Sequence, residues 1–149
     1  MRRRLRRLLA GTSGANLLEA ALITPLLLLS TLSIVEFGSL FYVYLALENG
    51  VTQATRYGVT GSASGDESLK AAMRQATPTL TIPDGAFTFS HLPPGGTTWL
   101  GGPGGPDDIE KMTIDYTWTL LTPLLRPFFT GGRVHFRVES ARKNERRSE

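Results

Sequence analysis

Two carboxylates, Glu19 and Glu36, bracket sixteen uncharged residues, including the run Leu26-Leu27-Leu28-Leu29. An ionisable group at the edge of so apolar a stretch is costly unless it is paired. Glu36, at the outer end, fits either a carboxylate solvated by lipid headgroups or one paired with a basic residue of another subunit. The other chemistry-bearing residues are scattered. His91 and His135 lie on separate strand patterns with no ligand spacing around them, and read as ordinary half-buried or surface histidines. Asp107-Asp108-Ile109-Glu110 lacks the spacing of a calcium loop and reads as a solvated loop. The glycine-rich segment 101–105 is followed by no Gly-Lys-Ser/Thr, so it is not a phosphate-binding loop. The absence of cysteine excludes a disulfide scaffold, a thiolate zinc site and a cysteine nucleophile. No set of His, Ser and Asp converges on acid–base or nucleophilic work. The expectation is therefore a chain that is not an enzyme and holds neither cofactor nor metal.

The elements that must position Glu19 and Glu36 follow from hydrophobic pattern. From Ala15 to Glu36 a helix rises about 32 Å, close to the thickness of a hydrocarbon core. A helix satisfies its own backbone there, and Pro25 inside it is tolerated with a kink. Farther on, Leu40, Tyr44, Leu47, Val51, Ala54 and Gly58 recur at spacings of three and four. They form the buried face of an amphipathic helix. One helix over about 15–60 is expected, membrane-spanning to about residue 40 and amphipathic beyond, with Tyr42 and Tyr44 as interface anchors. Gly58, Gly61 and Gly65 end it. Asp66 caps a short second helix to about Ala76, and Pro78 stops it.

The remainder, 61–149, reads as an extracytoplasmic α+β domain. Segments 86–92, 109–121 and 133–141 alternate apolar and polar residues, as half-buried strands do: Met112, Ile114, Tyr116 and Trp118, then Val134, Phe136 and Val138. A Gly/Pro-rich loop, 93–106, separates the first two. The fold class expected is α+β, with a long N-terminal helix packed on a small antiparallel sheet. Between the last two strands, Leu124-Leu125-Arg126-Pro127-Phe128-Phe129 is a dense apolar insertion, and its prolines exclude a regular element. It reads as a loop folded back onto the long helix or core, or as an exposed patch for a partner subunit or the outer leaflet. Arg126, Phe128 and Phe129 are the candidate contacts. Arg142, Lys143, Arg146 and Arg147 read as a solvated basic tail.

Charge distribution bears on the N-terminus. Of 16 basic residues, Arg2, Arg3, Arg4, Arg6 and Arg7 stand at the start; without these five, 11 basic residues face 13 acidic ones. The folded body is thus slightly acidic, which argues against a nucleic-acid partner. The arginines precede the apolar run, so the positive-inside rule puts the N-terminus in the cytoplasm and the C-terminal body outside. Three readings compete for the leader. A cleaved secretory signal fits poorly, because the apolar run is long and flows into an amphipathic helix without a small-residue exit. An uncleaved single-span anchor is the second, with an outer domain that binds another secretion or envelope component. The third is a prepilin-type leader, residues 1–14, and it fits best.

The carrying residues are Gly14-Ala15-Asn16-Leu17-Leu18-Glu19. An acid at the fifth position after a glycine, between an arginine leader and an apolar helix, resembles the processing site of type IV pilins and pseudopilins. Further along, Glu19-Ala20-Ala21-Leu22-Ile23-Thr24-Pro25-Leu26-Leu27-Leu28, Ile34-Val35-Glu36-Phe37-Gly38 and Ala46-Leu47-Glu48-Asn49-Gly50-Val51 resemble the anchor of TadE-like pseudopilins of the tight-adherence system. So do Tyr116-Thr117-Trp118, Thr122-Pro123-Leu124-Leu125-Arg126-Pro127-Phe128-Phe129 and Arg142-Lys143-Asn144-Glu145 near the other end. The resemblance implies a type IV pilin-like fold and a minor pilin-like subunit that supports assembly of an adhesive Flp pilus. It implies cleavage between Gly14 and Ala15 by a prepilin peptidase. Glu19 would then dock the subunit by pairing with a neighbour's N-terminal amine. Implied partners are the peptidase, other pilin-like subunits, tight-adherence assembly proteins and the lipid bilayer of the inner membrane, with incorporation at the base, tip or body of a pilus.

Overall fold

The computed structural model describes residues 12–59, 65–102 and 104–144. The leader arginines, Gly61, Pro103, Arg146 and Arg147 lie outside the described residues. Helix α1, Thr12–Val59, is unbroken through Pro25. Its first half touches almost nothing: Leu17, Leu18, Leu22, Leu26, Leu27 and Ile34 are all exposed. Hydroxyls in this half are satisfied locally, Ser30 donating to the Leu26 carbonyl and Thr31 to that of Leu27, each at 2.9 Å. A polar side chain folded onto its own helix in this way suits a medium without water.

The second half of α1 buries Val43, Leu47, Val51 and Ala54. The seam runs through Val43 where the spacing suggested Tyr44. Tyr44 is outside it, hydrogen-bonded to Glu48 and against the Phe136 ring. The short helix α2, Asp66–Ala76, packs on α1 through Leu69 and Met73. Gly65 stands in the cap position expected of Asp66, which is instead the first helical residue, so the helix start has no side-chain cap. At its end Thr77 donates to the Met73 carbonyl at 2.8 Å. Contact is closest at Gly50, where a Cβ would come within 2.6 Å of Thr77 Cγ2 and 2.7 Å of Met73 Sδ.

Four antiparallel strands cover the other side of the core: β1 Phe87–Leu92, β2 Leu100–Gly101, β3 Ile109–Thr119 and β4 Arg133–Lys143, in the order β2-β1-β3-β4. Register sets Phe89 opposite Met112 and Ile114 opposite Val138, so the inward residues stack against α1. This is the α+β arrangement expected: a long apolar helix on a small antiparallel sheet, consistent with a pilin-like fold. Two differences concern the ends. The two-residue strand β2 arises inside the Gly/Pro-rich loop, pairing with Ser90 and His91. Arg142 and Lys143 belong to β4, paired with Glu110 and Ile109, rather than to a solvated tail.

Candidate functional site

Gly14, Ala15 and Glu19 all fall at the head of α1. Ala15 and Glu19 are exposed on a stretch of helix that no other described element approaches. Gly14 lies in the first described turn of α1. Nothing in the folded body obstructs either residue.

Glu36 behaves differently from expectation. It is 1% exposed, not open to headgroups. Its Oε1 accepts the Leu121 N–H at 2.9 Å, and its Oε2 accepts the Thr122 N–H at 2.8 Å. Both oxygens are thus engaged by backbone of the same chain, and the carboxylate ties α1 to the loop after β3. A buried carboxylate is stable when N–H donors replace its water. The sequence carried a signal for this. Glu36 lies seven residues before Val43 and eleven before Leu47, on the same face of the helix as the buried seam.

That tie folds loop 120–132 back along α1. Leu125 is buried, and with Phe128 and Phe129 it forms a cavity of about 310 Å³ with Leu29, Ser33, Glu36, Phe37 and Leu40. Phe128 is 74% exposed, Leu121 55% and Leu124 50%. Part of the insertion thus folds onto the long helix, as one reading expected, and part faces outward. Arg126 donates from Nε to the Leu120 carbonyl at 3.1 Å. Gly132, at φ +64°, lets the chain return past Arg126, whose Cβ and Cγ would lie 2.9 Å from any added Cβ.

The remaining candidates separate. His91 Nδ1 is 3.1 Å from the Gly102 carbonyl. His135 sits across the sheet surface, near Thr117 and 3.4 Å from Asp115. The acidic run 107–110 is not one solvated loop. Asp107 pairs with Lys143 at 3.4 Å, and Asp108 accepts the Gly105 N–H at 2.7 Å. Glu110 points into the core, on the inward face of β3 with Met112 and Ile114. Its Oε1, with the Oδ1 atoms of Asp66 and Asn144, lacks a hydrogen-bond partner among the described residues. Burial pushes the Glu110 carboxyl above its ordinary range and the charge of Asp66 adds to that, while Asn144 and His91 oppose it. Extending the alternation of β3 one step back from Met112 would have placed Glu110 inward. Arg74 pairs with Asp84, holding that carboxyl below its usual range, and lies 5.4 Å over the Phe87 ring. Among the described residues no three acidic or histidine side chains form a group that could hold a metal.

Helix α1 is thus bare and apolar at its N-terminal end and tied near its middle, through Glu36, to the loop after β3. Among the described residues, α1 is the one helix long and apolar enough to cross a membrane, its most apolar stretch having a mean hydropathy of 2.0. That stretch is unburied, unlike the core helix of a soluble protein. No curated protein and no solved structure matches the chain significantly. The family model for TadE-like protein matches residues 14–56, from the glycine before the apolar run through the helix half that packs on the sheet. Over residues 14–56, the bare apolar stretch of α1 and the seam that packs on the folded body, the chain is similar to TadE-like proteins.

Proposed function

We propose that the chain is a pseudopilin, a minor pilin-like subunit supporting assembly of a tight-adherence pilus. In this reading the leader arginines stay in the cytoplasm, α1 crosses the inner membrane once, and the sheet domain stands outside. A prepilin peptidase cuts after Gly14; the chain is substrate and not catalyst in that step. Cleavage removes five arginines and leaves an α-amine on Ala15 at the positive end of the helix dipole. Glu19, one turn on, would be a carboxylate in lipid, and a neighbouring subunit's amine is a partner of matching charge. Pairing of this kind sets the register of adjacent helices, and helix packing then inserts the subunit into the pilus or its assembly complex.

The supporting observation is a coincidence of place. The Gly14–Glu19 arrangement heads a continuous helix whose apolar half is bare from Ala15 through Leu28, and the TadE-like match begins at that same glycine. A lone helix dissolved in lipid would need none of this spacing. The test is Glu19→Ala in cells that make the pilus. Because Glu19 is exposed and remote from the folded body, the variant is expected to reach the membrane at normal abundance and lose co-purifying pilin-like subunits. Unchanged fibres and unchanged companions would contradict the docking role.

A further inference from the structure

Loop 120–132 does more than close the β3–β4 hairpin. We propose that it is a lipid-seated ledge: Leu121, Leu124 and Phe128 enter the outer leaflet beside α1 and fix how deeply the helix sits. This rests on the reading that α1 spans a membrane.

Three independent features of the loop support it. The first is depth. The charge-free run 20–35 rises about 24 Å, less than a hydrocarbon core of about 30 Å. Any placement that buries this run buries Leu29 and Leu32, which stand about 10 Å and about 6 Å on the membrane side of Glu36. The loop lies against both. Phe128 and Phe129 share a cavity wall with Leu29, and Pro123 and Leu124 share one with Leu32. A loop beside those leucines occupies the outer half of the bilayer.

The second feature is the backbone. Irregular chain is tolerated at membrane depth where its polar groups are satisfied without water. Here Glu36 takes the amides of Leu121 and Thr122. The amides of Leu125, Phe128 and Phe129 bond to carbonyls three residues back, at 3.1 Å each. Pro123 and Pro127 have no N–H to satisfy.

The third feature is the outward surface. Phe128, Leu121 and Leu124 are exposed, and they adjoin apolar residues of α1: Phe128 lines a cavity with Phe37, and Leu121 lines one with Val35. Arg126 is the one charged residue between Leu120 and Gly132. Its stem is held against Gly132 and the Leu120 carbonyl, and the free end of a long cation can reach phosphate headgroups from an apolar setting.

Because the chain has no cysteine, single nitroxide labels can be placed without background. Full-length protein in phosphatidylcholine/phosphatidylglycerol vesicles would carry Phe128→Cys or Leu124→Cys, with Leu28→Cys as the span reference and Thr97→Cys as the water reference. Collision with dissolved oxygen against collision with a water-soluble nickel chelate reports depth. The ledge predicts that labels at both loop positions favour oxygen as the Leu28 label does, while the Thr97 label favours nickel. Loop labels that follow Thr97 would overturn the ledge, leaving the span intact. Loop labels shielded from both reagents would overturn it in favour of a covering protein, such as a second copy. A Leu28 label open to nickel would overturn the membrane span itself, and the ledge with it.

Discussion

Glu36 carries a structural load out of proportion to its single charge. Its two oxygens accept two amides 85 and 86 residues away in sequence. Glu36→Ala removes the acceptor of the buried Thr122 amide and of the part-buried Leu121 amide, and a buried donor left unpaired typically costs about 1–3 kcal/mol. The expected result is loss of protection at the Leu121 and Thr122 amides in hydrogen exchange, with the β3–β4 pairing retained. Unchanged protection at both amides would mean the tie does not hold the loop. Glu110 presents the opposite case. Its carboxyl is buried with an unpartnered oxygen and is raised above its ordinary range. A raised folded-state value means that the native chain binds a proton more tightly than the unfolded chain. Stability is then greatest below the unfolded carboxyl value and falls as pH climbs through the raised folded value, levelling off above it. Glu110→Gln should abolish that fall and melt at a higher temperature than the parent at neutral pH, with little difference at pH near 4. Thermal unfolding of both proteins across about pH 4 to 8 checks this. A variant less stable than its parent at neutral pH would show that the charged carboxylate is satisfied after all.

Helix α1 joins two environments because its buried seam starts before its apolar run ends. The spacing 36, 40, 43, 47 stays on one helix face, so the same element meets the loop, the sheet and α2 in turn. The α1–α2 contact is tight at Gly50. Gly50→Ala gains helix propensity of about 1 kcal/mol but sets a methyl against Thr77 and Met73, and overpacking of a buried site costs about 1–3 kcal/mol. Thr77 is branched and 1% exposed, so it cannot turn aside, and overpacking should win. Gly50→Ala is expected to lower the melting temperature. Gly38→Ala, which meets nothing within 4 Å, is expected to leave it unchanged or raised. Equal melting of the two variants would mean that the helices separate freely. The same elements explain what could be read in advance. The apolar length of α1, the second helix and the alternation of β3 and β4 are local periods, visible in any short window. Strand β2 is two residues in a glycine-rich loop, and it forms because β1 offers an edge, which no local window contains. The partner of Glu36 was hidden for the same reason: the residue's place on the seam was legible, but the amides it binds belong to a loop far along the chain.

At the scale of the whole molecule, the division of labour is simple. Much of one half of the helix is bare and apolar, the other half is core, and the described elements after Val59 are built on the second half or, at the loop, reach back toward the first. This arrangement leaves the N-terminal turn clear of the folded body, so it can be altered without disturbing that body. It is also where the TadE-like match begins. The account therefore turns on what happens between Gly14 and Ala15. The most direct measurement is the intact mass, with N-terminal sequence, of the protein recovered from membranes of cells that carry a prepilin peptidase. The account predicts a chain beginning at Ala15, reverting to the full leader when the peptidase is deleted. A chain still beginning at Met1 in the presence of the peptidase would contradict it, and would leave a single-span anchor in place of a pilin-like subunit.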